Sequence, residues 1–146
     1  MEKDLQEILF NRYPELYRPR EGDPLAMFGL QIPDGWFDLA DQLSADIMAY
    51  VERTGIPTPV VFQMKEKFGM LLVYLDESND DLEQMIVQAV GRSKNLCEEC
   101  GAEGILYERN RSWLHVFCEK HAEGVPVTKV VTASIPVGSY PTDDWL

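Results

Sequence analysis

The chain has 146 residues, 45% apolar and 10% aromatic, with a formal net charge of −12. That length supports one domain with a proper core. No apolar run approaches the ~20 residues a membrane helix needs, and the acidic start MEKDLQEILF is not a signal peptide, so a cytoplasmic protein is expected. The negative balance repels phosphate backbones; it suits solubility, a basic protein partner or mimicry of nucleic acid.

Residues 3 to 12 read as a short helix with Leu5, Ile8 and Leu9 on one side. Pro14, Pro19 and Pro24 then break regularity, and the stretch from Tyr13 to Pro33 is expected to be a loop that tucks in Met27, Phe28 and Leu30. Asp34 is the expected N-cap of a long helix. Its apolar face carries Trp36, Leu39, Ala40, Leu43, Ile47, Tyr50 and Val51, and Gly55 and Pro57 stop it.

PVVFQMKEKFGMLLVYL, residues 59 to 75, reads as a β-hairpin. Val60, Phe62 and Met64 alternate with Val61, Gln63 and Lys65, and MLLVYL, apolar on both faces, is expected to be the more central strand. Lys65, Glu66 and Lys67 fall at the tip. Gly69 there supplies an unusual backbone angle, and Phe68 is expected to fold back onto the core. Two strands alone are marginal; two long helices and a late strand at 125–135 are the expected covering elements. Asn79 can cap a third helix, DDLEQMIVQAVGRSKNL, with Leu82, Met85, Ile86 and Ala89 as its buried stripe. Its acidic first turn and basic last turn suit the helix dipole.

That helix runs without a linker into Cys97-x2-Cys100-x17-Cys118-x2-His121. An odd number of cysteines with CxxC spacing favours metal or thiol chemistry over a disulfide framework. Three thiolates and one imidazole suit tetrahedral zinc. A redox CxxC pair would not need Cys118 and His121 three residues apart. CEECG resembles a zinc knuckle, ILYERNRSWLHVF reads as a second hairpin turning at RNRS, and CEKHAE as the start of a helix. Together they resemble a treble-clef finger. Four protein ligands leave no position for water or substrate, so the zinc reads as structural.

His115 lies in the returning strand between Leu114 and Val116. It reads as a partly buried strand histidine, with a spare ligand or a base as the other readings. Some treble-clef proteins are HNH nucleases, but no second His or Asn is placed here to complete such a site.

The motifs also resemble, in order and spacing over roughly residues 35 to 122, a family of small bacterial and phage proteins of unassigned function. The matching residues are Gly35-Trp36, Lys65-Glu66-Lys67-Phe68-Gly69, Tyr74, Ser93, Cys97, Cys100, Gly101, Gly104, Trp113, Cys118 and His121. The family usually has Leu-Arg where this chain has Leu71-Leu72; if that arginine served a ligand site, this chain has lost it. The resemblance implies fold and zinc, carries no activity, and points to a phage or mobile-element gene.

The expected architecture is α+β, helices packed on a small antiparallel sheet with an attached treble-clef-like finger. A single domain comprises a core (1–94), an integrated finger (95–124) and a C-terminal strand and tail (125–146). Three functions compete. The first is a non-catalytic, zinc-stabilised acidic module that contacts and inhibits a host complex. Its partner would be a basic or nucleic-acid-binding protein, met through Lys65, Glu66, Lys67, Phe68, Asp76, Glu77, Asp80 and Asp81. The second is a nucleic-acid binder using Arg92, Lys94, Arg109, Arg111 and Lys120, although Glu98, Glu99, Glu103, Glu108 and Glu119 match them one for one. The third is a hydrolase or nuclease built on Glu66 and His115. The acidic balance and the closed metal pattern favour the first, without membrane or direct nucleic-acid contact.

Overall fold

A computed structural model describes residues 1–110 and 112–127. Four helices, α1 (Lys3–Arg12), α2 (Pro24–Phe28), α3 (Phe37–Thr54) and α4 (Asp80–Ser93), accompany the hairpin β1 (Val61–Lys67) and β2 (Met70–Leu75). A second sheet, of three short strands, holds β3 (Ile105–Asn110), β4 (Trp113–Phe117) and β5 (Val125–Pro126) in the order β4-β3-β5. The described residues are thus α+β with small antiparallel sheets, and no helix among them is long and apolar enough to cross a membrane.

The three- and four-residue periodicity of α3 buries Leu39, Ala40, Leu43, Ile47 and Tyr50, and that of α4 buries Leu82, Ile86, Ala89 and Val90. These stripes face each other, and α4 also lies on β2 while α2 lies on β1. Leu9 of α1, Leu16, Tyr17, Leu30 and Ile32 close the same core. Asn79 caps α4 as expected, its side chain accepting the Leu82 amide at 2.9 Å. Gly55 stops α3 in the left-handed conformation, φ 72°.

Several local expectations change. Asp34 does not cap α3: residues Asp34–Trp36 form a 3-10 turn, and the Asp34 carboxylate instead accepts the Glu2 amide at 2.7 Å. Within the expected loop, Pro24 at the first helical position starts α2. Met27 and Phe28 sit exposed on it (59% and 62%), whereas Leu30 is buried as expected. A register shift between Val61 and Gln63 breaks the alternation of β1, so Val60, Val61 and Met64 are buried and Phe62 is exposed. Among the described residues the β1–β2 sheet has two strands. Gln31 bridges the outer edge of β1, and α4 covers β2. Helix α4 ends at Ser93 rather than running to Leu96. The expected late strand starts at Val125 but joins β3, not the core hairpin; its remainder, from 128 onward, lies outside the described residues, as does Trp145.

The Lys67–Met70 pair closes a two-residue turn, Phe68-Gly69, with both residues at positive φ (54° and 76°). This is the hairpin turn whose twist matches that of its strands. Phe68 does not fold back: it remains 38% exposed, with the Lys67 ammonium 5.6 Å from its ring centre.

Candidate metal centre

The knuckle forms because the Gly101 amide turns back to the Cys97 carbonyl (2.8 Å) and the Cys97 amide reaches the Ala102 carbonyl (2.7 Å). Gly101 allows this with φ 79°. The paired strands β3 and β4 then return the chain, placing Cys118 and His121 on the short 3-10 turn Glu119–His121 opposite the knuckle. The expected helix after Cys118 is only this turn, followed by Ala122 in an extended conformation.

The ligand atoms of Cys97, Cys100, Cys118 and His121 all lie within 4.8 Å of one another. Cys100 Sγ is 3.8 Å from Cys118 Sγ, Cys97 Sγ is 3.7 Å from His121 Nδ1, and Cys118 Sγ is 3.2 Å from the same nitrogen. All three thiols are free. Cys97 is buried and Cys100 exposed, so the cluster has an inner side against the fold and an outer side toward solvent. A site of this donor set takes a transition-metal ion.

The centre is joined to the core through close backbone contacts. The Gly35 amide donates to the Glu98 carbonyl at 2.9 Å, and the Trp36 indole donates to the Leu96 carbonyl at 3.0 Å. A Cβ on Gly35 would collide with the Cys97 carbonyl oxygen and stand 2.6 Å from the Glu98 carbonyl, and one on Gly101 would stand 2.7 Å from the Gly35 oxygen. Gly69 sits against Leu106 and Val116. Ser93 is fully buried, and its hydroxyl accepts the Leu71 amide at 3.1 Å while donating to the Val90 carbonyl at 2.6 Å. Motif residues scattered between positions 35 and 101 therefore meet at one junction between core and finger. Leu72, where the resembling family carries arginine, is fully buried.

A second cluster lies at the same junction. His115 Nδ1 is 2.9 and 3.2 Å from the two Glu98 carboxylate oxygens and 3.2 Å from Glu66 Oε1. Glu98, 7% exposed, also accepts the Val116 amide at 2.6 Å. Burial pushes the Glu98 carboxyl above its ordinary value; the Val116 amide and His115 oppose the shift, and the neighbouring Glu66 charge adds to it. His115 is half-buried in its strand as expected, but its partnership with Glu98 was not legible. In CEEC nothing distinguishes Glu98 from its exposed neighbour Glu99; the backbone of the knuckle makes that choice.

The residues proposed as a binding surface separate into two places. Lys65, Glu66, Lys67 and Phe68 sit at the hairpin tip beside the finger. Asp76, Glu77, Asp80 and Asp81 sit at its other end, about 20 Å away along the strands. Asp76 is occupied in the fold: it accepts the Val60 and Glu77 amides and pairs with Arg20. Asp81 accepts the Tyr50 hydroxyl at 3.0 Å. Glu77 and Asp80 are exposed. Of the basic residues considered, Arg109 lies over the Trp113 ring and pairs with Glu123, and Arg111 is outside the described residues.

No family model, curated protein or solved structure matches the chain.

Proposed function

We propose that the chain is a non-catalytic binding protein whose working surface is held in shape by a structural zinc ion. The observation that carries this reading is the filled ligand set. For zinc at ~2.3 Å from sulfur, the sulfurs at two tetrahedral corners stand about 3.8 Å apart, and the Cys100–Cys118 separation is 3.8 Å. Four protein donors leave no corner for a substrate, so the ion supplies folding energy rather than Lewis acidity. The knuckle, hairpin and terminal turn are read as a shortened treble clef.

The partner is a basic or nucleic-acid-binding protein, contacted through charge complementarity by the exposed start of α4, where Glu77, Asp80 and Glu83 are open to solvent. The resemblance to phage and mobile-element proteins makes inhibition of a host complex the expected consequence, in the cytoplasm. Affinity capture tests this. The wild-type chain should recover a specific basic partner, and Glu77→Lys with Asp80→Lys should lose it. Failure to recover a partner, or equal recovery by the doubly reversed chain, would refute the reading.

One observation favours a second reading, a hydrolase. Glu66 and His115, the two candidates for acid–base work, stand 3.2 Å apart, and Glu98 lies 2.9 Å from the same imidazole nitrogen. Turnover of an ester or phosphodiester that His115→Ala abolishes would establish it; no such turnover by the folded, metal-loaded chain would remove it.

A further inference from the structure

We infer that Glu66, Glu98 and His115 form a second divalent-cation site, separate from the thiolate cluster, that clamps the KEKFG hairpin tip to the finger. The inference goes beyond the binding-module reading and does not depend on it.

Three distant segments bring one nitrogen and two carboxylates together: the end of β1, the knuckle and the middle of β4. Their ligand atoms lie within 4.8 Å of one another. Both carboxylates converge on the same ring atom, His115 Nδ1, at 2.9 Å from Glu98 and 3.2 Å from Glu66. That nitrogen has one direction in the ring plane, holding either one proton or one lone pair. A proton there points well at only one acceptor and leaves the cluster net negative. A divalent ion is shared by all three donors at once and neutralises both carboxylates. Ligand atoms about 3 Å apart are also adjacent corners of an octahedron with metal–ligand bonds of ~2.1 Å.

The carboxylates are held in place by the backbone. The Val116 amide fixes Glu98 at 2.6 Å, and the Gly69 amide approaches Glu66 at 3.2 Å. Lys65 and Lys67, flanking Glu66 in an extended strand, project to the opposite face and do not neutralise the pair. The Trp113 ring packs edge-on to the imidazole at 4.8 Å, giving the cluster an apolar wall. The side chains of Glu66 and Glu98 are 17% and 8% exposed, while that of His115 is 30% exposed, so an ion has a route in.

The donor set differs from the first centre. One imidazole and two carboxylates, with no sulfur, favour Mn²⁺, Fe²⁺, Co²⁺ or Zn²⁺ over soft ions such as Cu(I). Three protein ligands leave further positions for water, so this ion would be exchangeable where the thiolate-bound one is closed in.

The test titrates Mn²⁺ into the full chain whose thiolate site has been loaded with one equivalent of Zn²⁺, and reads free Mn²⁺ by its EPR amplitude. The expected result is a single bound Mn²⁺ per chain, with paramagnetic broadening strongest at the amides of Gly69, Glu98 and Val116. Glu66→Gln keeps an acceptor for the Gly69 amide and changes one side chain near the end of β1; it should weaken Mn²⁺ binding by more than about 10-fold, the scale on which even an outer-shell partner matters. His115→Gln should do the same. Undiminished free Mn²⁺ at millimolar concentration, broadening centred on the acidic start of α4, or unchanged affinity in Glu66→Gln would each overturn the inference.

Discussion

Gly35→Ala tests whether core and finger are one cooperative structure. Gly35 is not among the residues with positive φ, so alanine meets no backbone strain there, and the perturbation is steric. Its methyl carbon would collide first with the Cys97 carbonyl oxygen and stand 2.6 Å from the Glu98 carbonyl, both of which are backbone and cannot swing aside. Relieving that overlap costs about 1–3 kcal/mol. Moving the knuckle also lengthens the 2.9 Å hydrogen bond from the Gly35 amide to Glu98, worth about 0.5–1.5 kcal/mol. The expected loss is therefore about 2–4 kcal/mol, or roughly 5–15 °C in Tm for a domain of this size. Gly91→Ala is the matched control: at this exposed position of α4 an added Cβ meets nothing within 4 Å, so the same chemical change should stabilise by about 1 kcal/mol. Urea unfolding of the metal-loaded chains, followed by far-UV dichroism and Trp fluorescence, measures both. A Gly35→Ala midpoint indistinguishable from wild type would refute the reasoning, as would unfolding in which finger and core separate into two transitions before any mutation.

Chelating the metal should disorder the finger, whose own apolar cluster, among the described residues, contains only Cys97, Tyr107 and Phe117 as buried members. Structural zinc can contribute on the order of 10 kcal/mol, so near-UV dichroism from Trp113 should collapse on chelation and return with Zn²⁺; an unchanged spectrum would show that packing alone suffices. Phe68→Asn should stabilise the hairpin by about 1 kcal/mol, because asparagine tolerates the left-handed backbone at φ 54° better than a bulky side chain does; thermal unfolding reads this, and a lowered Tm would mean that Phe68 packs more than its exposure indicates. Tyr17 is buried against Ser44, 2.6 Å away, and burial raises its phenol above the ordinary 10.0, with the Ser44 hydrogen bond in opposition. The unfolded chain then sheds this proton first as pH rises past 10, so Tyr17's contribution is intact below that pH and declines above it. Phenolate absorbance should therefore show Tyr17 ionising only with unfolding; titration of every tyrosine in the folded chain would contradict this.

Much of this protein was legible in one dimension. Helical spacing located α1, α3 and α4, the Asn79 cap and Gly55 stop marked two of their ends, and alternation around KEKFG and RNRS located both hairpins. The clustering of Cys97, Cys100, Cys118 and His121 was readable because a metal site demands donors in short-spaced pairs, and such spacing survives in sequence. These are all local relations, governed by periods of two to four residues. What packing alone decided has the opposite character. Whether Glu98 or Glu99 turns inward, whether Asp34 caps its own helix or Glu2, and whether Phe68 folds back or stands out depend on neighbours many positions away. Gly35 meets the knuckle, and Glu66 meets His115, because two backbones approach across the junction, and no periodicity records such an approach. The Cys3His cluster was therefore written in the chain, while the Glu66, Glu98 and His115 cluster beside it exists only once the core has placed the hairpin tip against the finger.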